Sequence, residues 1–376
     1  MQTIIKKSRN TEKKPQKVFV ALSGGVDSAV AAAVLKKQGY DVYGIYMKEW
    51  VPSGMICSQG DDRISAAQVA AYLNIPFAIW DFGKEYERDV ARYMLDEYAS
   101  GLTPNPDVMC NSKIKFGVFL KHALRLGADS IATGHYIIKK PKSQIQNPKF
   151  SLLQSKDKNK DQSYFLWTLT QDQLQYCLFP IGNFMKPYVR RIAKQFGLPN
   201  WDRKDSQGVC FVGKFNFGEF LRTQIPKHEG VLVTTSGEAV GVHDGVQFYT
   251  IGQRHGIQVQ NAKRKTQNFG NTKPVYIAGK NITTNMLVIA EEDDSALYRK
   301  EVLVSNVNWI SGRVPELPLH CQARIRHRQT LQKAAVSMIH DSCFMIHFNI
   351  PQRAVAPGQS LVFYKGKEMI GGGVIT

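Results

Sequence analysis

Ser23-Gly24-Gly25-Val26-Asp27-Ser28 is the segment whose residue types best suit a phosphate. Small residues let the backbone approach an anion closely, and N–H groups opening a following helix supply positive potential. Ser23 and Ser28 add hydroxyl donors, and Asp27 could hold Mg²⁺ on the phosphates. The pattern lacks the Gly-Lys-Ser/Thr ending of a Walker loop and is not GxGxxG, which disfavours a nicotinamide cofactor. A second chemistry is suggested by two cysteines. Cys110 closes Asn105-Pro106-Asp107-Val108-Met109-Cys110, a stretch stiffened by Pro104 and Pro106 and followed by Lys113 and Lys115. A thiol beside a helix start and two cations has a lowered pKa. Asp107, three residues earlier, could orient it or accept a proton. Cys210 lies in Asp205-Ser206-Gln207-Gly208-Val209-Cys210-Phe211, with Gly208 and Gly213 on either side. A thiol on a Gly-bounded loop can swing between partners, which suits sulfur relay.

Alternating strand and helix patterns must position these groups. Short apolar runs at Val18–Leu22, Val42–Met47, Pro76–Trp80 and Ser130–Thr133 read as buried parallel strands. Helices are expected over Asp27–Gln38, Asp61–Leu73, Glu85–Tyr98 and Lys113–Leu126. That order implies an α/β, doubly wound parallel sheet with right-handed crossovers. Ligands in such sheets sit beyond the carboxyl ends of the strands. The loops Ser23–Gly25, Lys48–Gly54 and Gly134–His135 are therefore expected to share one pocket.

Lys139–Lys160 reads as a basic, turn-rich insertion, and helical patterns resume to about Phe196. After Gly208 the character turns to short β-like runs, among them Gly230–Val233 and Gln247–Ile251, and then to a polar loop over Asn261–Thr272. From Val275 onward, short strands with turn residues suggest a small β-barrel. The expected division is a flexible basic tail over 1–17, a parallel-sheet domain carrying the phosphate loop over 18–207, a small β-rich central domain over 208–276 and a C-terminal barrel over 277–376.

The chain has 376 residues, with 49 Lys plus Arg against 31 Asp plus Glu, so the net charge is +18. Such a surplus suits a polyanionic partner, with nucleic acid the leading candidate. No stretch approaches the ~18–20 consecutive apolar residues of a membrane span. The six cysteines form no CxxC pair, which argues against a zinc ribbon and a disulfide-stapled secreted domain, and no metal site is expected. Cys57, Cys177, Cys321 and Cys343 read as small core residues, Cys177 on a helical face. The beginning of the chain is polar and Lys-rich, without an apolar signal core, so a reducing cytoplasmic compartment is expected ahead of the mitochondrial matrix.

The hexapeptide resembles the phosphate loop of the PP-loop ATP pyrophosphatases, which split ATP into AMP and pyrophosphate. The combination resembles, more specifically, the tRNA-specific 2-thiouridylase family. Matching blocks run from Ser23 to the C-terminus. They include Met47-Lys48-Glu49-Trp50, Thr103–Asn111, Ala132-Thr133-Gly134-His135-Tyr136 and Lys160-Asp161-Gln162-Ser163-Tyr164, then Asp205–Phe211, Tyr249–Arg254, Arg324–Arg328 and Pro357-Gly358-Gln359. The resemblance implies ATP contacts at Ala21, Leu22, Ser23, Gly24, Gly25, Val26, Asp27, Ser28, Met47 and Gly134. It implies Cys110 as nucleophile, Cys210 as persulfide carrier, a transient Cys110–Cys210 disulfide, and a catalytic role for Asp107. It implies target-base contacts at Asn105, Pro106 and Asp107, and further tRNA contacts at Lys160, Asp161, Gln162, Arg326 and His327. The expected reaction is ATP- and Mg²⁺-dependent 2-thiolation of the wobble uridine of Lys, Glu and Gln tRNAs, fed by a cysteine desulfurase or a sulfur-carrier protein.

Arg324, Arg326 and Arg328 alternate, so on a strand they would share one cationic face. Trp50, Tyr136 and Tyr164 are candidates to stack on an extruded base. His327 stands where Tyr is common in the family. The competing reading is a PP-loop synthetase or amidotransferase acting on a small molecule, which needs neither the paired thiols nor a basic barrel. A non-catalytic RNA-binding protein is the third.

Overall fold

The computed structural model describes residues 14–52, 59–142, 148–205, 217–254, 274–340 and 342–376. Strand β1 (Lys17–Ala21) pairs in parallel register with β2 (Asp41–Lys48), Lys17 facing Asp41. With β3 (Phe77–Asp81), β4 (Ser130–Ala132) and the two-residue β7 (Cys177–Leu178), they form a parallel sheet of order β3-β2-β1-β4-β7. The strand alternation has two apolar destinations. Val18, Val20 and Leu22 pack under α1 (Val26–Lys37), α2 (Gln59–Tyr72) and the helix Lys186–Gln195, whereas Phe19 and Ala21 face a second cluster. That cluster is built from helical residues such as Met94, Ile114 and Phe119 on the stretches 83–99 and 106–125. The doubly wound expectation holds, and each fully buried Val, Leu or Phe contributes about 1.5–3 kcal/mol.

The segment 137–154 departs from the sequence reading. It is not a turn-rich insertion but a hairpin, β5 (Ile137–Pro141) with β6 (Phe150–Gln154), in which Ile137 and Leu152 are fully buried. Lys140 and Lys149 are exposed, but Lys139 stands opposite Leu152 on the inner face, its Nζ donating to Leu174 O at 2.8 Å, and a charged residue at that position breaks the apolar alternation. Cys177 also differs, lying in β7 rather than on a helical face.

A second, four-stranded sheet has the order β10-β11-β8-β9, from β8 (Gly230–Thr234), β9 (Ala239–His243), β10 (Val275–Asn281) and β11 (Met286–Glu291). It therefore extends past residue 277, because β11 pairs with β8. Alternation along β10 marks a strand but not the sheet it joins. Residues Val246–Phe248 form a 3₁₀ turn, not the strand expected over Gln247–Ile251.

The C-terminal part is a closed six-stranded antiparallel barrel: β12 (Tyr298–Trp309), β13 (Leu319–Arg324), β14 (Gln332–His340), β15 (Cys343–Arg353), β16 (Ser360–Lys365) and β17 (Glu368–Ile375). Closure comes from β12, which pairs with both β15 and β17. Alternate residues of β16 split between two cores. Leu361 and Phe363 fill the barrel, while Val362 and Tyr364 join the apolar cluster of the parallel-sheet domain. β6 pairs with β17, so the hairpin extends the barrel wall. No helix among the described residues is long and apolar enough to cross a membrane.

Candidate functional site

The phosphate loop is shaped by glycines and serines. Gly24 has φ +80°, and a Cβ there would stand 2.3 Å from the Asp62 carbonyl oxygen, so only glycine fits. Gly25 caps α1 in an extended conformation and offers no side chain to the first turn. The serines brace the loop: Ser23 N donates to Ser28 Oγ (3.2 Å), and Ser28 Oγ donates to Gly25 O (3.0 Å). From outside, Ser65 Oγ and Asn200 Nδ2 each donate to Gly24 O at 2.8 Å. Arg203 pairs with Asp62 at 2.6 Å.

Gly134 follows β4 and lies against this loop. A Cβ on it would stand 2.7 Å from Ser28 N and 2.8 Å from Asp27 C. Those are backbone atoms with no room to yield. Gly134→Ala is expected to impose about 1–3 kcal/mol of overpacking and to weaken ATP binding roughly tenfold, as checked by equilibrium titration. Met47, opposite Trp80 in the register, is partly buried against the same aromatic core.

A charged cluster surrounds Asp27. Lys186 Nζ lies 2.8 Å from both carboxylate oxygens of Asp27 and 2.8 Å from Asp205 Oδ1. Tyr136 donates its hydroxyl to Asp27 Oδ1 at 2.7 Å, and burial together with Asp27 keeps that hydroxyl protonated. Lys160 (2.6 Å) and Arg190 (2.8 Å) also pair with Asp205. Burial alone would raise the Asp205 carboxyl, but hydrogen bonds from Lys160 and Lys186 outweigh it and bring the group down to about 2. A depressed carboxylate stabilises the fold above its unfolded pKa and loses that contribution as pH falls through the folded value. Asp205→Asn is therefore expected to lower Tm at pH 7, with the gap to the wild type narrowing as pH drops from about 4 towards 2. Thermal unfolding at several pH values checks this.

Asp27 thus spends its carboxylate on Lys186 and Tyr136, and the described residues contain no cluster of three or more His, Cys, Asp or Glu able to hold a metal. They do not form a ready-made Mg²⁺ cage.

The thiol segment is not a loop. Asn105 caps a helix that begins at Pro106, its Oδ1 accepting from Val108 N at 3.3 Å. Cys110 falls in the next turn, where the winding widens to a π-helix over Cys110–Phe119. Lys113 and Lys115 lie inside this helix rather than at its start. Asp107 and Cys110, three apart, share a helix face. Cys110 is fully buried. Its neighbour Asn111 donates Nδ2 to Phe165 O at 3.4 Å. Cys210 and the segment 206–216 lie outside the described residues, as do Cys57 and the Asn261–Thr272 loop.

Glu49, which sequence reasoning quoted only as part of a block, links these parts. Burial raises its carboxyl, Lys115 opposes that, and the carboxylates of Asp107 and Asp62 add to it. Charges of the thiol helix and of Asp62 beside the phosphate loop thus both act on Glu49, just past the end of β2. The signal available was an acid just past the carboxyl end of a central strand. His135, held by Thr133 Oγ1 at 2.8 Å and packed on Phe116, is kept neutral by burial and by Lys115.

The segments expected to touch RNA converge. Asn105 lies beside the Tyr164 hydroxyl, which donates to Ser360 O at 2.8 Å. Asp161 is buried against Arg324 at 2.7 Å, and its carbonyl oxygen lies 3.0 Å from His327 Nε2. The His327 ring packs on Phe165 at 4.5 Å. Gln162 accepts from Tyr136 N through Oε1 at 2.9 Å. Arg326 Nη2 donates to Ala354 O.

Two expectations fail here. Arg324 ends β13 and is buried, while Arg326 and Arg328 lie past the strand, Arg328 with φ +66°, so the three share no strand face. Tyr136 and Tyr164 are core residues whose hydroxyls are bonded to Asp27 and to Ser360 O (2.8 Å), so neither is a stacking platform. Trp50 is partly exposed.

The barrel and the central part both hold the run before Asn105. Thr103 N donates to Pro357 O (2.9 Å), and Gln359 Nε2 donates to Thr103 O (2.9 Å) and Pro104 O (3.0 Å). Thr103 Oγ1 lies 3.3 Å from Thr250 Oγ1 of the central part. Gly358, with φ +88°, leaves no room for a Cβ, which would stand 2.9 Å from the Thr103 backbone.

Residues 16–214 match the family model described as the tRNA methyl transferase HUP domain. Residues 218–291 match its PRC-barrel domain, and residues 299–375 the aminomethyltransferase beta-barrel domain. The chain is 44% identical over 362 residues to the tRNA-specific 2-thiouridylase MnmA 2 of Geobacillus kaustophilus, covering 96% of this chain and 94% of that protein. It is 46% identical over 366 residues to the tRNA-specific 2-thiouridylase MnmA of Nitrosomonas eutropha, covering 96% of this chain and 98% of that one.

Proposed function

The chain belongs to the tRNA-specific 2-thiouridylase family, and from that membership we propose that it exchanges O2 for sulfur on the wobble uridine of tRNA. The accepted isoacceptors are those for Lys, Glu and Gln. The observation that carries the reading is the meeting of the phosphate loop, Glu49 and the Cys110 helix at the carboxyl edge of one parallel sheet.

ATP lies with its phosphates over Ser23–Ser28. Uracil O2 attacks the α-phosphorus, pyrophosphate leaves, and the adenylated oxygen becomes a good leaving group. The terminal sulfur of a Cys210 persulfide then attacks C2, and AMP departs. The Cys110 thiolate attacks Cys210 Sγ, breaking the S–S bond. Its electron pair passes to the sulfur on C2, leaving a thiocarbonyl and a Cys110–Cys210 disulfide. An external thiol reductant restores both cysteines. The persulfide comes from a cysteine desulfurase or a sulfur-carrier protein, and a reducing cytoplasm suits the cycle.

Asn105, Pro106 and Asp107 seat the base, and Asp107 handles the proton beside Cys110. Lys160–Gln162 and Arg326–His327 act together on the RNA side, since His327 rests on the Asp161 backbone. Base extrusion from an anticodon loop costs less than from a duplex.

The test is mass spectrometry of wobble uridines after incubating unmodified tRNA with the protein, ATP, Mg²⁺ and a persulfide source. One sulfur-for-oxygen exchange per tRNA, absent without ATP, is the expected result. Unchanged uridine with all components present overturns the reading.

A further inference from the structure

We propose that Lys186 is a phosphate ligand of the nucleotide-splitting step: its ammonium exchanges Asp205 for the β,γ-phosphates of ATP and holds the pyrophosphate they become. This rests on the ATP-dependent reading above.

Lys186 opens the helix Lys186–Gln195, with Pro187 next to it, and its backbone N–H donates to Asp157 Oδ2 at 2.8 Å. Its side chain is only 11% exposed. A lysine is rarely so buried unless its charge is matched. Here the match is to the phosphate loop itself: Asp27 is the second residue of α1, and Nζ reaches both of its oxygens. Tyr136 locks the same carboxylate from the other side. The ammonium is therefore aimed at the start of α1, where the helix dipole and N–H groups already favour an anion.

An ammonium has three protons, and Asp27 Oδ1, Asp27 Oδ2 and Asp205 Oδ1 use all three. A phosphate oxygen must displace one of them. Leaving Asp27 would remove the one cation paired with it among the described residues. Leaving Asp205 costs far less, because Lys160 and Arg190 remain on that carboxylate at 2.6 and 2.8 Å. The Asp205 arm is the one to exchange. Lysine suits the task as a compact point charge for phosphate.

Binding of ATP, AMP and inorganic pyrophosphate to the full-length protein tests this at pH 7. Lys186→Met is expected to weaken ATP and pyrophosphate about 10- to 100-fold, the range for a hydrogen bond to a charged group. AMP, which lacks the β- and γ-phosphates, is expected to bind within about twofold of the wild type, and Lys186→Arg to recover part of the loss. Equal weakening of ATP and AMP would mean that the lysine only props up the loop, and overturns the proposal, as does unchanged pyrophosphate binding. Asp205→Asn serves as a second variant should Lys186→Met fail to fold: it releases one arm of the lysine and is expected to tighten pyrophosphate severalfold, and no tightening counts against the exchange. If the wild type binds neither ATP nor pyrophosphate, the ATP-dependent reading itself fails, a result distinct from a selective loss in the variant.

Discussion

Cys110→Ala is expected to lower sulfur transfer to tRNA by at least ~10³-fold while ATP binding stays near the wild-type value, since removing a nucleophile removes its covalent step entirely. In the proposed mechanism ATP is split at Ser23–Ser28 and not at Cys110, so tRNA-dependent pyrophosphate release should outlast the loss of thiolation. Alanine is the cleaner variant. Cys110 is fully buried, and alanine leaves no polar atom at that position. Cys177→Ala is the matched control. That thiol is equally buried, in β7, donates to Gln173 O at 3.1 Å, and is pushed up to about 12 by burial. It is a neutral thiol at physiological pH, and its alanine variant should thiolate normally. Mass spectrometry of the wobble base and a pyrophosphate assay separate the two. Full thiolation by Cys110→Ala would remove Cys110 from the mechanism.

The second large effect is on stability. Arg324 Nη2 bonds Asp161 Oδ2 (2.7 Å), Ser163 Oγ (3.0 Å) and the Tyr364 hydroxyl (2.6 Å), with both ionic side chains at most 5% exposed. Arg324→Met leaves the buried Asp161 carboxylate without the Arg324 charge, held by neutral donors such as Ser155 N and Ser163 Oγ. Breaking a buried pair from one side costs about 3–5 kcal/mol. Urea unfolding should show the loss, and adding Asp161→Asn should recover part of it, because the stranded charge is gone. An Arg324→Met variant within about 0.5 kcal/mol of the wild type would show the pair to be dispensable.

The chemistry-bearing parts were legible in the amino-acid order for local reasons. The hexapeptide Ser23–Ser28 between a strand and a helix marks a candidate phosphate loop by local pattern alone, and Gly24 has a conformation and a clearance that only glycine meets. The parallel strands showed as short apolar runs because both faces of such a sheet are covered. Asn105-Pro106 was visible as a stiff approach but not as a helix start. Its capping role depends on Asn105 accepting from Val108 N, and the proline obscured the period. The hairpin of β5 and β6 was missed because Lys139 stands on the inner face opposite buried Leu152, where the alternation calls for an apolar residue. The arginine stripe failed because β13 stops at Arg324.

What the chain order determined by itself was the set of reactive groups and the kind of sheet that carries them, since both follow from contacts within a few residues. Which groups meet was decided by packing across long separations. Lys186 reaches Asp27 over 159 positions, Gln359 reaches Thr103 over 256, and Arg324 reaches Asp161 over 163. Periodicity records only that a side chain is buried or exposed, and the partner of a buried charge is chosen by how the layers close over it.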